Sequence, residues 1–205
     1  DQDPNSFYGL VHYRRFLSKI NHKEILTKDY LQSLLYDTGK NIKYDIILPK
    51  KRKYYIESLY NHYAHTLHIG PLDKTRQIIQ DRHPEYLPEF DRLKIRRSAH
   101  MFNIFIMREG IFNEYCNFLF DILMNLEKTL TKAEINQYDE FHARFFGRIS
   151  ELLLDVFLYT KYPDLDQKTN ILELKIIETE PVNWCNKIAS FLLAKFFGRK
   201  YHKSC

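Results

Sequence analysis

The sequence predicts an α/β layered fold, in which short apolar strands alternate with amphipathic helices. Short apolar runs bounded by turn residues recur along the chain. The longer segments between them carry apolar residues at three- and four-residue spacing, which is the period of a helix with one buried face. With 205 residues, 44% of them apolar and 28% charged, the chain has the composition of a single globular domain.

Four segments have the composition of strands. They are Tyr8 to Val11, Tyr44 to Leu48, Met101 to Met107 and Ile171 to Thr179. The third is short and almost purely apolar, which is typical of a central strand that is buried on both faces. The first apolar run also predicts a buried strand, and it leads directly into a cluster of cationic side chains.

The helices are predicted from caps and apolar periodicity. Thr27 can cap a helix that runs to about Asp37, and Gly39 can end it. Gly70 and Pro71 separate two further amphipathic segments, which predict a helix pair. The pair is Tyr54 to His68 and Leu72 to Arg82. Three more helices are predicted after it, namely Ile111 to Leu126, Phe141 to Val156 and Asn186 to Phe197.

Charge and cysteine content limit the possible partners and compartment. A net charge of +5 favours acidic partners, such as a nucleotide diphosphate, an anionic membrane surface or nucleic acid. The three cysteines, Cys116, Cys185 and Cys205, form no CxxC pair, so we expect no disulfide framework and a reducing, cytoplasmic compartment. The polar first residues and the lack of long apolar runs predict neither a signal peptide nor a membrane span.

Two basic segments could lie on a membrane surface. Lys50 to Lys53 reads KKRK, and residues 186–205 interleave lysine and arginine with phenylalanine and leucine. Basic and bulky apolar residues together suit an anionic bilayer, where each cation contributes about 1 kcal/mol. A solvated charge run followed by a helix docked on the core explains the same pattern equally well.

The segment GLVHYRRF, Gly9 to Phe16, places cations directly after a predicted strand. In open α/β sheets, ligands bind beyond the carboxyl ends of strands. His12, Arg14 and Arg15 could therefore hold a diphosphate through charge-assisted hydrogen bonds. The alternative is a solvated basic loop.

Two further groups of polar residues, both containing histidine, could carry chemistry. His62 and His65 lie on adjoining faces of a predicted helix next to Asn61, where they could bind hydroxyl groups, hold zinc with Asp73, or simply accompany helix packing. His100 and Asn103 flank an apolar strand, either as core residues or as sugar ligands.

Arg144, Arg148, Glu151 and Asp155 fall on one helical stripe, opposite the aromatic residues. Either they form a solvated ladder of salt bridges, or Glu151 is a general base that Arg148 orients. Asp1 and Asp3 spell a DxD pattern, which can hold Mg²⁺ or Mn²⁺, although a polar terminus produces it by chance.

Several motifs in fixed order resemble one known family, the bacterial capsular-polysaccharide glycosyltransferases long described as a domain of unknown function. The segments that carry the resemblance are GLVHYRRF, YNHYAHTLH at Tyr60 to His68, SAHMFNIFIM at Ser98 to Met107, EYCNFLFDIL at Glu114 to Leu123, FGRISELLLDVFL at Phe146 to Leu158, and the terminal SFLLAKFFGRKY. Members normally have residues before GLVHYRRF, so the resemblance implies that residues 1–205 are one domain forming the C-terminal part of a longer catalytic domain.

The resemblance implies a Rossmann-like, GT-A-like layered domain with a short mixed sheet and a large helical portion. It implies transfer of a hexose, galactose in the first instance, from a UDP-sugar to a capsular glycan. The basic segments favour a lipid-linked acceptor at the inner membrane face, and the DxD pattern would take Mn²⁺ or Mg²⁺ as cofactor. In that reading His12, Arg14 and Arg15 meet the diphosphate, and Glu151 is the base beside Arg148. Asn61, His62, His65, His100 and Asn103 line the sugar cleft.

Two other functions fit parts of the sequence. A nucleic-acid-binding module would need exposed stacking rings beside its cations, whereas the aromatic residues here follow a buried periodicity, so we expect no nucleic-acid partner. A catalytically inactive scaffold that binds glycan or a partner enzyme would share the fold and lack turnover.

Overall fold

The computed structural model describes residues 6–39, 41–136, 138–139, 142–165 and 170–180. Within them, a four-stranded mixed sheet has the strand order β1-β6-β3-β7. Its strands are β1 (Phe7–Leu10), β3 (Ile46–Pro49), β6 (Phe105–Arg108) and β7 (Ile171–Leu174). β6 is antiparallel to both β1 and β3, and β3 is parallel to β7. The α/β prediction is therefore confirmed.

Two small sheets flank the main one. β2 (Arg15–Leu17) pairs with β8 (Ile176–Glu178), and β4 (Arg52–Lys53) pairs with β5 (Ser98–Ala99), both antiparallel. The helices are α1 (Lys28–Leu35), α2 (Leu59–Thr66), α3 (Gly70–Arg82), α4 (Leu87–Asp91), α5 (Glu109–Thr129), α6 (Lys132–Asn136) and α7 (Phe145–Lys161).

The sheet separates two apolar clusters because neighbouring strand residues point to opposite faces. Ile46 and Leu48 of β3 belong to the larger cluster, with side chains from α3, α5 and α7. Ile47, between them, belongs to the smaller cluster, with Leu34 and Leu35 of α1. All four residues of β3 are buried, so this strand lies in the middle layer of the domain.

Local signals located most helices correctly. Thr27 caps α1 by accepting the backbone N–H of Tyr30, as predicted. Pro71 lies in the first turn of α3, where its missing N–H costs nothing. The predicted helix from Tyr54 is shorter than expected, because Ser58 caps α2 and residues 54–57 connect β4 to the helix without helical structure.

Three strand predictions need correction. β1 is an edge strand with three exposed residues, not a buried one. The central strand β6 begins at Phe105 instead of Met101, because Phe102 and Asn103 adopt positive φ angles of 80° and 52° that no strand accommodates. The segment from Ile171 is two strands, since β7 joins the main sheet and β8 pairs with β2.

The topology brings distant segments to one edge of the main sheet. β1, β3 and β7 run in the same direction, so their carboxyl ends lie at the same edge, where antiparallel β6 begins. The residues after these ends are the turn His12–Arg15, the basic run 50–53 and Lys175, and residues 102–103 precede β6. Ligands of open α/β sheets bind at this kind of edge.

Several sequence-based predictions lie outside the described residues. These are the DxD pattern at Asp1 and Asp3, the start of a helix at Phe141, the helix from Asn186 to Phe197 and the basic segment 186–205. None of the helices in the described ranges is both long enough and apolar enough to cross a membrane.

Candidate active site at the carboxyl edge of the sheet

A pocket of about 240 Å³ opens at the carboxyl edge of the sheet. Its lining carries four cationic side chains and one carboxylate. The lining residues are Arg15, Lys50, Arg52, Phe102, Lys175, Ile176 and Glu178. The carboxylate of Glu178 accepts from Nε of Arg15 at 3.4 Å, so the pocket keeps an excess of positive charge. An anionic ligand suits such a pocket.

A left-handed turn at residues 102 and 103 shapes the pocket. The guanidinium of Arg15 lies 4.2 Å from the centre of the Phe102 ring, and that of Arg52 lies 5.9 Å away. Arg52 also lies 5.1 Å from the ring of Tyr54. The rings hold the two guanidinium groups by cation–π attraction without neutralising them. Among the described residues, Arg52 forms no ion pair with a carboxylate.

Glu151 lies in the first half of α7, beside this turn. Its side chain is 10% exposed, and Oε1 lies 3.5 Å from Nη1 of Arg148. Burial raises the pKa of Glu151, while the cations of Arg148, Arg52 and Arg15 and the backbone amide of Phe102 oppose that rise. A buried carboxylate whose pKa is raised binds a proton more readily than a solvated one. The alternative prediction of a solvated ladder is wrong for Glu151 and for Asp155, since both are buried.

Two buried acceptors at this turn and on α7 have no hydrogen-bond donor among the described residues. They are Oε2 of Glu151 and Oδ1 of Asn103. The amide nitrogen of Asn103 donates to the hydroxyl of Ser150 at 2.8 Å and to the carbonyl of Gly147 at 3.2 Å, which fixes the side chain on the start of α7. Buried acceptors in folded proteins normally have a donor. A hydroxyl-bearing ligand could supply one here.

Glu57 connects the two histidines of α2. Its side chain is 3% exposed, and its two oxygens accept from Nδ1 of His62 at 2.6 Å and from Nδ1 of His65 at 2.8 Å. Burial lowers the pKa of His62, more than Glu57 raises it, and Arg52 and Arg148 lower it further. His62 is therefore neutral near pH 7 and close to the guanidinium groups of the pocket. One shared carboxylate fixes the tautomer of both rings.

The structure separates the predicted phosphate ligands. Arg15 lines the pocket. Arg14 instead pairs with Glu180 at 3.0 Å and with the hydroxyl of Tyr13. The backbone N–H of Arg14 donates to Nδ1 of His12 at 3.1 Å. Burial and the charges of Arg15, Arg14 and Arg148 lower the pKa of His12, so this ring contributes a hydrogen-bond donor and no positive charge.

The sugar-cleft prediction needs correction at His100, which is fully buried. Nδ1 of His100 lies 2.5 Å from a carboxylate oxygen of Asp155, and Nε2 lies 2.9 Å from one of Glu173. Both ring nitrogens are thus engaged within the protein, and neither can read a sugar hydroxyl. Asn61 is exposed on α2, and Asn103 lies at the site as described.

No group of three or more metal-ligating side chains occurs in the part of the chain that the structure describes. The proposed zinc partner Asp73 accepts the hydroxyl of Tyr60 at 2.9 Å, while His62 and His65 face Glu57. The zinc alternative is therefore not supported by these residues.

Sequence reasoning missed several residues of the site. Lys50 and Arg52 belong to the KKRK run, which the sequence predicts as either a membrane-facing or a solvated segment, although the run follows a strand end as directly as GLVHYRRF does. Applying the same strand-end rule to both segments would have found them. Glu57 carries no sequence signal of its own, because its role depends on the fold of α2.

Comparison with known proteins identifies the family. Residues 2–162 match the family described as a domain of unknown function, DUF4422. The chain belongs to the DUF4422 family. The matched region of this DUF4422 chain includes β1 to α7, and therefore Arg15, Arg52, Phe102 and Glu151. No curated protein matches the chain.

The fold of this DUF4422 chain is similar to that of a solved glycosyltransferase structure. The apo structure of the bifunctional glycosyltransferase WbbM superimposes with a TM-score of 0.71 at 24% sequence identity. The similarity covers 88% of this chain and 34% of that protein, so the chain spans about a third of its length. The likeness confirms a Rossmann-like α/β layered fold.

Proposed function

We propose that this DUF4422 chain is the catalytic part of a glycosyltransferase that moves a hexose, galactose in the first instance, from a UDP-sugar to a capsular or exopolysaccharide glycan. The observation that carries the proposal is the buried Glu151, which lies 3.5 Å from Arg148 and within the electrostatic field of Arg52 and Arg15, two residues of the cationic pocket. Inverting glycosyl transfer needs a base for the acceptor hydroxyl and positive charge for the leaving diphosphate. The fold shared with a glycosyltransferase supports the same proposal.

The cationic pocket is the proposed site of the donor diphosphate. Arg15 and Arg52 offer planar forks that match phosphate oxygens, and Lys50 and Lys175 add point charges. His12 accepts the backbone N–H of Arg14 at Nδ1, which leaves Nε2–H as the donor for a phosphate oxygen, while Arg14 stays paired with Glu180 outside the pocket. When the bond between the sugar C1 and the phosphate oxygen breaks, negative charge grows on the diphosphate. Fixed cations stabilise that charge without reorganising. Mn²⁺ or Mg²⁺ would add to them if bound.

Glu151 is the proposed general base. The acceptor hydroxyl gives its proton to the Glu151 carboxylate as its oxygen bonds to the sugar C1, and the diphosphate leaves with the former C1–O electron pair. The raised pKa suits this role, because a base works best when its pKa approaches the working pH. Arg148 orients the carboxylate from 3.5 Å. Asn103 supplies a buried acceptor, and His62, His65 and Asn61 read hydroxyl groups from α2.

Transfer of labelled galactose from UDP-galactose to an acceptor glycan tests the proposed activity. We expect Glu151→Gln to lower kcat by about 10²- to 10⁴-fold, which is the usual contribution of a general base. Glutamine keeps the shape of the side chain and removes its basicity. Glu127→Gln is the matched control, because Glu127 is an exposed glutamate of α5 outside the site.

Each outcome of this assay has a definite meaning. Loss of turnover in Glu151→Gln with full activity in Glu127→Gln supports the assignment. Equal turnover in wild type and Glu151→Gln removes Glu151 as the base. A wild-type chain that binds UDP without any transfer to glycan acceptors would instead be a catalytically inactive scaffold.

A further inference from the structure

A second pocket, of about 420 Å³, lies along β7 and reaches the basic run that follows β3. It shares Lys50 with the first pocket and otherwise has its own lining. The lining residues are Leu48, Lys50, Lys51, Lys53, Ser98, Leu165, Ile171 and Glu173. The two pockets are therefore neighbours, separated by no more than the reach of one lysine side chain.

The basic run after β3 divides its side chains between the two pockets. Lys51 and Lys53 line the second pocket, and Arg52 lines the first. This division follows from the extended backbone, in which successive side chains point to opposite sides. A run of four cations thus serves two sites, with Lys50 reaching both.

The lining of the second pocket has an excess of positive charge. It carries three ammonium groups and one carboxylate, that of Glu173. Nε2 of His100 holds this carboxylate at 2.9 Å from inside the core. Within the described ranges, Lys50 and Lys53 form no ion pair with a carboxylate. Lys51 donates to the hydroxyl of Tyr159 at 2.5 Å, which fixes its side chain at the pocket wall.

We propose that this second pocket binds the phosphate group of the other substrate, a phosphorylated or diphosphate-linked glycan acceptor. The proposal rests on the function proposed above, since a transferase must hold its donor and its acceptor side by side. Lysines suit a phosphate whose orientation varies, because each is a flexible point charge. The aliphatic floor of Leu48, Leu165 and Ile171 accepts the carbon part of such a substrate.

Two calorimetric titrations of the whole chain separate the sites. UDP reports on the first pocket, and inorganic pyrophosphate added to the UDP-saturated chain reports on the second. We expect Lys53→Ala to weaken pyrophosphate binding by about tenfold or more and to leave UDP affinity unchanged within about twofold. Arg52→Ala should weaken UDP binding and leave pyrophosphate affinity unchanged. Lys53→Arg keeps the charge at this exposed position and should retain pyrophosphate affinity.

The outcomes distinguish this proposal from the function on which it rests. Unchanged pyrophosphate affinity in Lys53→Ala overturns the second site, and equal weakening of UDP makes the pocket part of the donor site instead. If wild type fails to bind UDP, the proposed function fails. Even in that case, loss of pyrophosphate binding in Lys53→Ala would support an anion site in the second pocket.

The same titration distinguishes two sources of the phosphate. Farnesyl diphosphate that binds more tightly than pyrophosphate, and loses affinity in Lys53→Ala, assigns the pocket to a lipid-linked acceptor. If farnesyl diphosphate binds no more tightly than pyrophosphate, with the same dependence on Lys53, the pocket is assigned to a soluble phosphorylated acceptor.

Discussion

The buried cluster of His100, Asp155 and Glu173 makes the stability of this protein depend on pH. His100 and Asp155 are both fully buried, and the ring joins α7, through Asp155, to strand β7, through Glu173. Asp155 lies one helical turn after Glu151, so the cluster also fixes the helix that carries the proposed base. Replacing His100 by glutamine removes the central charge of the cluster.

The magnitude follows from the pKa of the ring. Burial lowers the pKa of His100, but Asp155 and Glu173 raise it more, to about 9. A rise from 6.5 to about 9 corresponds to about 3 kcal/mol of folding free energy. Because the pKa is higher in the folded state, this contribution is complete below pH 6.5 and is lost as the pH rises to about 9. His100→Gln also leaves Asp155 without a buried counter-charge, which costs about 3–5 kcal/mol near pH 6.

Urea unfolding of wild type and His100→Gln at pH 6 and pH 9.5 measures both effects. We expect the free energy of unfolding of wild type to fall between these pH values, and that of the variant to fall by about 3 kcal/mol less. His83→Gln is the control, because His83 forms a partly exposed pair with Asp121 and should cost less than about 1 kcal/mol. Identical pH dependence in wild type and His100→Gln would refute the charged buried ring.

Two further predictions concern the elements that hold the site. Burial raises the pKa of Glu151, so the charged carboxylate is less favourable in the folded than in the unfolded chain. Glu151→Gln should therefore unfold at an equal or higher urea concentration than wild type at pH 7. Unfolding of the variant at a lower urea concentration would contradict this. Ser58→Ala removes the hydroxyl that accepts the N–H of Asn61 at the start of α2, and should cost about 1 kcal/mol by thermal unfolding. No loss there would mean that the cap is not stabilising.

Features of the fold that depend on local sequence were predictable. Thr27, Pro71 and the apolar stripe of α5 mark helices through nearby residues alone, and the structure confirms them. The strands were harder, because pairing joins residues far apart in sequence. Nothing near Lys175 shows that the chain leaves one sheet for another there, since the partners of β7 and β8 lie more than a hundred residues earlier.

The site was predictable where a motif follows a strand end, and less so elsewhere. The strand-end rule found Arg15, and helical spacing placed Glu151 beside Arg148. The left-handed turn at Phe102, which holds two guanidinium groups, follows from tertiary packing and not from an apolar run. His100 was not predictable as a core residue. The sequence around a histidine before a strand does not show whether the ring faces a cleft or, as here, two carboxylates inside the protein.

Binding of UDP to the cationic pocket tests the central claim most directly. In a thermal-shift titration of the whole chain with UDP and UDP-galactose, a ligand that binds the folded state raises the unfolding temperature. We expect a shift for wild type and for Arg92→Ala, which removes an exposed arginine paired with Glu89, and a much smaller shift for Arg52→Ala. Repeating it with Mn²⁺ shows whether a metal adds to the arginines. No shift in wild type, or the same shift in Arg52→Ala, would contradict a donor site at this edge of the sheet.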